Sequence, residues 1–233
     1  MMRRLRPWVM LPTGWIAQGG LKAFRWRKGE GASSVGALMV LIVIAQQADK
    51  ATGIAELTYD ELTAATGLSR SKVAEGLARL GAQKLICKVG TERSQYLLAD
   101  YDLYQGWGKL PASRLYTNER VWAFDNFRLR QPAELDALKL YLLFVALRDD
   151  ASNLTRVSYE KITDYSGVAK NNIKRALSLL AVEGLLHVER VASSRSEYGI
   201  VNAYRLTFLD TRNHMGTKGR SDLPLGAADD VTF

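Results

Sequence analysis

Two stretches of the sequence decide the fold: residues 58–86 are TYDELTAATGLSRSKVAEGLARLGAQKLI, and residues 157–186 are VSYEKITDYSGVAKNNIKRALSLLAVEGLL. A shift of 100 residues aligns them without a gap and places Gly67 on Gly167. The alignment extends outward, and one gap brings an upstream Leu-Pro pair of the first stretch onto a Leu-Pro pair of the second. The chain is therefore built from two copies of one unit.

The two copies cover about residues 10–100 and 109–209 of a chain of 233 residues. Each copy is long enough to bury a hydrophobic core. Apolar residues make up 47% of the chain and charged residues 24%, which is typical of a globular protein. Residues 210–233 contain few large apolar side chains, so we expect them to form a flexible tail.

Each copy begins with the same order of predicted elements. The Leu-Pro pair is followed by a short aromatic stretch that favours a strand, and then by an apolar helix that we expect to be buried because it lacks a polar face. Ser34 is expected to cap the first of these helices, and Pro132 suits the first turn of the second. The aromatic strands are predicted at 23–26 and 121–127, and the helices at about 36–48 and 133–148.

A short helix, a glycine and a longer helix follow in each copy. Thr58 and Glu61 have the spacing of a capping box, in which the hydroxyl and the carboxylate each accept a hydrogen bond from a free backbone amide. Gly67 and Gly167 are expected to end the short helices, because glycine adopts the left-handed conformation without steric cost. The longer helices are predicted at 70–83 and 170–182, and the strands of the hairpins that follow them at 85–89, 96–99, 185–191 and 203–208.

This order of helices, glycine turn and hairpin, carried by the two stretches quoted above, resembles the winged helix-turn-helix family. The resemblance implies an α+β, mainly α fold of two tandem winged-helix domains, related by the internal repeat of about 100 residues. It also implies double-stranded DNA as the partner. The predicted organisation is a basic leader at 1–35 that packs partly on the first domain, winged helices at 36–100 and 133–209, a linker with a strand at 101–132, and the tail at 210–233.

The chain carries 32 Lys and Arg against 24 Asp and Glu, and this net charge of +8 favours nucleic acid as a partner before an anionic membrane surface. Residues 1–35 contain seven of the basic residues and a single acidic residue, Glu30. The leader, which begins with Arg3, Arg4 and Arg6, has two interpretations. It is an arm that follows the phosphates, or a solvated segment whose tryptophans pack on the first domain.

In a helix-turn-helix the second helix lies in the major groove, and its exposed side chains contact the edges of the bases. In the second copy the helical period turns Ile173 and Leu177 inward and leaves a cationic, polar face outward. Arginine suits guanine and asparagine suits adenine, whereas lysine and serine suit phosphates. The predicted DNA-binding residues of this helix are Lys170, Asn171, Asn172, Lys174, Arg175 and Ser178. A solvated helix face is the alternative.

The first copy predicts a weaker DNA contact. The outward face of its second helix is small, and it carries Glu75, which repels phosphate, where the second copy has Arg175. The alternative role of this small face is packing, through which the chain would form a homodimer. The remaining candidates for DNA contact are Arg70, Ser71 and Lys72 in this helix, and Arg93, Arg190 and Arg195 in the hairpin loops, or wings, of the two copies. The wings are otherwise ordinary polar hairpins.

The sequence predicts no enzymatic activity, no bound metal and no cofactor. It contains no phosphate-binding glycine loop, dinucleotide fingerprint or HExxH motif. Cys87 is the single cysteine, which excludes an internal disulfide and a cysteine-ligated zinc site. Cys87 and His187 fall at equivalent positions of predicted strands, where we expect them to be packed. The apolar runs are too short to cross a bilayer, so we expect no membrane contact and a cytoplasmic location, associated with a nucleoid or a plasmid.

The leading hypothesis for function is sequence-specific binding of double-stranded DNA, by a transcription regulator or by a replication initiator of a plasmid or mobile element. In architecture the chain resembles plasmid Rep-type initiators, in which the C-terminal winged helix is the main reader of the origin and the N-terminal one helps to dimerise. The asymmetry between the two helix faces fits that division. The alternative is a tandem winged-helix subunit of a chromosome-organising complex, which uses this fold to bind protein. Such subunits tend to be acidic, whereas this chain is basic.

Overall fold

The computed structural model describes residues 5–90, 94–192 and 200–209. The elements of the first copy are β1 (Trp8–Pro12), α1 (Gly14–Ala17), a 3-10 helix (Gly20–Ala23), α2 (Gly31–Gln47), β2 (Ile54–Glu56), α3 (Tyr59–Thr66), α4 (Arg70–Ala82), β3 (Ile86–Lys88) and β4 (Gln95–Leu98). Those of the second copy are β5 (Trp107–Pro111), a 3-10 helix (Ser113–Leu115), β6 (Tyr116–Thr117), β7 (Arg120–Val121), a 3-10 helix (Trp122–Phe124), α5 (Pro132–Leu147), β8 (Leu154–Thr155), α6 (Tyr159–Ser166), α7 (Lys170–Val182), β9 (Leu186–Ala192) and β10 (Ile200–Leu206).

Each copy folds as a winged helix, which confirms the predicted fold class of two tandem winged helices. Three helices lead into a hairpin, and a short strand before the helix-turn-helix completes an antiparallel sheet in the order β2-β4-β3 or β8-β10-β9. The third strand of each sheet, β2 or β8, is only two or three residues long and was not predicted.

The long helices α2 and α5 form the centre of one continuous hydrophobic core, in which they contact each other. Pro132 occupies the first turn of α5, as predicted. The prediction that Ser34 caps α2 is wrong, because the helix begins earlier, at Gly31. Ser34 is buried inside the first turn, where its hydroxyl donates to the carbonyl oxygen of Arg25 at 3.2 Å.

The helix-turn-helix units form as their local signals predict. The backbone amide of Glu61 donates to the Thr58 hydroxyl at 3.2 Å, and the Thr58 amide donates to the Glu61 carboxylate at 2.9 Å, which completes the capping box. Gly67 and Gly167 both have a φ of 69° and end α3 and α6 in the left-handed conformation. Glycine at these positions lets the chain turn into α4 and α7.

The prediction of aromatic strands at 23–26 and 121–127 is wrong. The chain forms 3-10 turns there instead, in which the amide of Phe24 donates to the carbonyl of Leu21, and that of Phe127 to the carbonyl of Phe124. Phe24 and Phe124 are buried. These segments therefore use their aromatic side chains to pack on helices, and only Val121 lies in a two-residue strand.

The leader joins the two copies. Its strand β1 packs on α2 and pairs antiparallel with β5 of the second copy. The residues after β1, in α1 and at 20–23, contact α5 and α6 of the second copy, and Lys139 in α5 donates to the carbonyl oxygen of Phe24 at 3.2 Å. In return, β7 of the second copy contacts α3 of the first. In each copy, therefore, the segment before the long helix contacts the helix-turn-helix of the other copy.

Candidate nucleic-acid interface

The exposed face of α7 carries the polar residues that were predicted to contact DNA. Ile173, Ala176, Leu177 and Leu180 are buried, as the helical period predicted. The candidate side chains are all exposed: Lys170, Asn171, Asn172, Lys174, Arg175 and Ser178. Because α7 contains no acidic residue, this face presents hydrogen-bond donors and positive charge together.

Two side chains of this face are held by the start of α5. Arg175 Nη2 donates to Gln131 Oε1 at 2.7 Å, and Asn172 Nδ2 donates to Asp136 Oδ2 at 3.4 Å. Gln131 is exposed, so a base edge or a phosphate can replace it as the partner of Arg175 without leaving a buried polar group unpaired. Asp136 is half-buried, and this burial raises the pKa of its carboxyl. The start of α5 thus holds Arg175 and Asn172 in position on this face.

The exposed face of α4 in the first copy differs in charge. Glu75 lies at the repeat position of Arg175 and accepts hydrogen bonds from Lys72 at 2.6 Å and from Ser33 at 2.5 Å. The bond from Lys72, followed by that from Ser33, lowers the pKa of Glu75, so the carboxylate is charged at neutral pH. Ser71 is exposed, whereas Lys72 is half-buried and its ammonium group forms an ion pair with Glu75. This face is therefore less suited to a phosphate backbone than that of α7.

In each helix-turn-helix an ion pair joins the first turns of the two helices, and the sequence did not lead us to predict it. Arg70 pairs with Asp60 at 2.7 Å and lies 5.5 Å from the ring centre of Tyr59. Lys170 pairs with Glu160 at 2.5 Å, and this hydrogen bond lowers the pKa of Glu160 to about 2. The sequence did contain a signal for both pairs, because the acidic and basic residues of the first pair recur 100 residues later as those of the second. Both pairs are exposed, so the two cations can exchange their carboxylate for a phosphate.

The candidate residues of the wings and of the leader are only partly described. Arg190 is exposed on β9, opposite Asn202 in the strand pairing. Arg6 is exposed just before β1. The remaining candidates lie outside the described residues: Arg3, Arg4, Arg93 and Arg195, as does the tail at 210–233.

A cation from the other copy lies beside each glycine turn, which the sequence analysis did not predict. Lys22 of the leader lies against Gly167, with its Cγ 3.2 Å from the position a Cβ would take there. Arg120 lies against Gly67 in the same way and is also paired with Asp125. Both cations are exposed. Part of the basic leader thus adds its charge to the second helix-turn-helix, which already carries the more cationic face.

The described residues contain no group of three or more His, Cys, Asp or Glu placed to hold a metal ion. The prediction that Cys87 and His187 are packed is wrong: they lie in β3 and β9 but are exposed, because successive residues of a strand face opposite sides of the sheet and the inward positions are taken by Ile86 and Leu186. Across the described residues, no helix has the length and apolar character needed to cross a bilayer.

Neither a comparison with protein-family models nor one with curated proteins finds a match for this chain. The site itself is therefore the basis for inferring a function. Two winged helices, one with a cationic face and one with a nearly neutral face, are fixed in a single core. The second helices of the two helix-turn-helix units, α4 and α7, thus present exposed faces of different charge.

Proposed function

We propose that this chain binds double-stranded DNA in a sequence-specific manner through its two winged helices. The observation that carries the proposal is the exposed face of α7, on which arginine, lysine and asparagine side chains stand without an acidic neighbour on the helix. The net charge of +8 supports a polyanionic partner. The biological role that fits is that of a transcription regulator or of a replication initiator for a plasmid or mobile element.

The second winged helix is the main reader in this proposal. Its helix α7 enters the major groove by its N-terminal half, where Arg175 pairs with a guanine and Asn171 or Asn172 with an adenine. Lys170 and Lys174 contact the phosphates on either side and fix the register. The bonds of Arg175 and Asn172 to the start of α5 restrict both side chains before DNA arrives, which reduces the ordering cost of binding.

The first winged helix contributes less affinity, because Glu75 remains charged on the face that would meet the phosphates. Arg70 and Ser71 still lie exposed at the start of α4, where they can contact the backbone of the same duplex. Homodimerisation through this smaller face is the alternative, and it would bury α4 and leave α7 as the DNA-reading helix.

A second candidate function is binding of a protein partner in a chromosome-organising complex. The observation that favours it is the small, exposed surface of α4, formed by Ala74, Ala78, Gly81 and Ala82, against which another helix can pack closely. The positive charge of the chain supports DNA as the partner instead, and DNA binding is therefore the function we propose.

The test compares two arginine variants on a duplex selected from a random pool. Arg175→Ala should weaken binding by about 5- to 150-fold, because it removes a bidentate contact with a base. Arg114→Ala is the matched control: Arg114 is exposed and lies outside both helix-turn-helix units, so it changes the charge equally without touching the face. Equal effects of the two variants, measured by electrophoretic shift, would contradict the proposed reading by α7.

A further inference from the structure

The antiparallel pair of β1 and β5 has a register that is symmetric with respect to the repeat. In this part of the chain the two copies are related by a shift of 99 residues, which places Leu11-Pro12 on Leu110-Pro111. The same shift places Met10 on Lys109, and Met10 is paired with Lys109 in the sheet. A residue that pairs with its own counterpart in an antiparallel ladder marks a local two-fold axis.

The contacts around this axis are reciprocal. Trp8 stacks on its counterpart Trp107, with ring centres 6.0 Å apart and an angle of 12° between the planes. Residues 20–23 of the first copy contact α6 of the second, and residues 120–121 of the second contact α3 of the first. The two long helices α2 and α5 are counterparts, and they contact each other. Contacts in which each copy offers the same surface to the other are those of a closed two-fold dimer, here made within one chain.

A two-fold relation between the copies also relates their recognition helices α4 and α7. Two recognition helices that are related by a two-fold axis and bind one duplex read half-sites in inverted orientation, as dimeric helix-turn-helix proteins do. A shift along the chain without rotation would instead match directly repeated half-sites.

We infer that the two winged helices of a single chain bind one duplex together, as the two subunits of a dimeric protein would. We infer also that the DNA site is an imperfect inverted repeat. This inference rests on the proposed DNA binding. The two half-sites differ in sequence because the faces differ: α7 presents Arg175 and Lys174 where α4 presents Glu75 and Ala74. The two half-sites thus have inverted orientations but different base sequences. The chain therefore binds the site in only one of the two possible orientations.

The test uses the full chain and duplexes recovered from a random pool. Three probes are compared: the selected duplex, the same duplex with one half-site turned into direct orientation at unchanged spacing, and the duplex with that half-site scrambled. Native mass spectrometry gives the number of chains and duplexes in each complex, and anisotropy gives the affinity. We expect one chain on one duplex, and a loss of at least about tenfold when the half-site is reversed or scrambled, because several base pairs then mismatch. Arg175→Ala should relax base preference in only one half-site.

Several outcomes would overturn the inference while leaving DNA binding intact. These are equal or tighter binding to the direct arrangement, a selected site with only one conserved half, two chains on one inverted site, or one chain that bridges two duplexes. Absence of salt-sensitive binding to any duplex would instead reject the proposed function itself.

Discussion

Replacing Gly108 by alanine should destabilise the packing of β5, the strand that pairs with β1 of the first copy, on helix α5. Gly108 lies in β5, and a Cβ atom at this position would be 2.3 Å from the carbonyl oxygen of Val145 in α5 and 3.0 Å from its carbonyl carbon. Cβ atoms in folded proteins do not approach other heavy atoms below 3.0 Å. Because both neighbours belong to the backbone of a buried helix, no side-chain rotation can relieve the contact. β5 and α5 must therefore move apart.

The expected loss follows from two opposing effects. Forced overpacking of a core costs about 1–3 kcal/mol. Alanine offsets about 0.5–1 kcal/mol of this, since it restricts the unfolded chain more than glycine does. Because the contact is with backbone atoms, the cost lies in the upper part of the overpacking range, about 2–3 kcal/mol, and we expect the free energy of unfolding to fall by about 1–2.5 kcal/mol. For a chain of this size that lowers Tm by about 2–10 °C.

Thermal and urea unfolding followed by circular dichroism measure this change. Gly81→Ala is the matched control, because Gly81 lies in α4 with no atom within 4 Å of a Cβ placed there. Alanine favours a helix over glycine by about 1 kcal/mol, so the control should be more stable than the unsubstituted chain. If Gly108→Ala is as stable as the unsubstituted chain while Gly81→Ala behaves as expected, the close packing of β5 on α5 is refuted.

Three further predictions concern charge. Glu75→Ala should leave binding to random duplex DNA unchanged or tighten it, because the substitution removes a carboxylate from the face of α4. A large loss of affinity in an electrophoretic shift would mean instead that α4 is the main DNA-reading helix. Burial lowers the pKa of Lys139 to about 8 from 10.5, so the unfolded lysine binds more protons between these values and its contribution to stability in urea should rise with pH, most clearly between about 8 and 9, below the range where buried tyrosines titrate. Lys139→Met should abolish this rise, and an unchanged pH profile would exclude Lys139 as its origin. Replacing Arg3, Arg4 and Arg6 together by alanine should weaken specific and random duplexes about equally in anisotropy titrations, whereas a loss confined to the specific site would mean that the leader reads a groove.

Apart from the short strands β2 and β8, the elements inside each winged helix could be predicted because their signals are local. The capping box of Thr58 and Glu61, the left-handed turns at Gly67 and Gly167, and the first-turn proline of α5 each depend on residues only a few positions apart. The buried and exposed faces of α4 and α7 followed from helical periodicity for the same reason.

The association of the two copies could not be predicted, because it depends on contacts between residues far apart in the chain. A repeated sequence offers each crossing segment two similar surfaces, one in its own copy and one in the other, and no local pattern decides between them. Phe24 and Phe124 looked like strand residues because aromatic side chains favour strands, yet they pack on helices. Lys22 and Arg120 lie beside the turns at Gly167 and Gly67 only as a result of this exchange.

The most direct test of the central claim is the salt dependence of binding to a labelled duplex of random sequence, measured by anisotropy with the unsubstituted chain. Each phosphate that the protein neutralises contributes roughly 0.9 to the slope of log K against log salt concentration. We expect tight binding at low salt, a steep decline of affinity across moderate salt, and a slope that is smaller by about one phosphate contact for Lys174→Ala. No binding at low salt, or an affinity that does not change with salt, would contradict it.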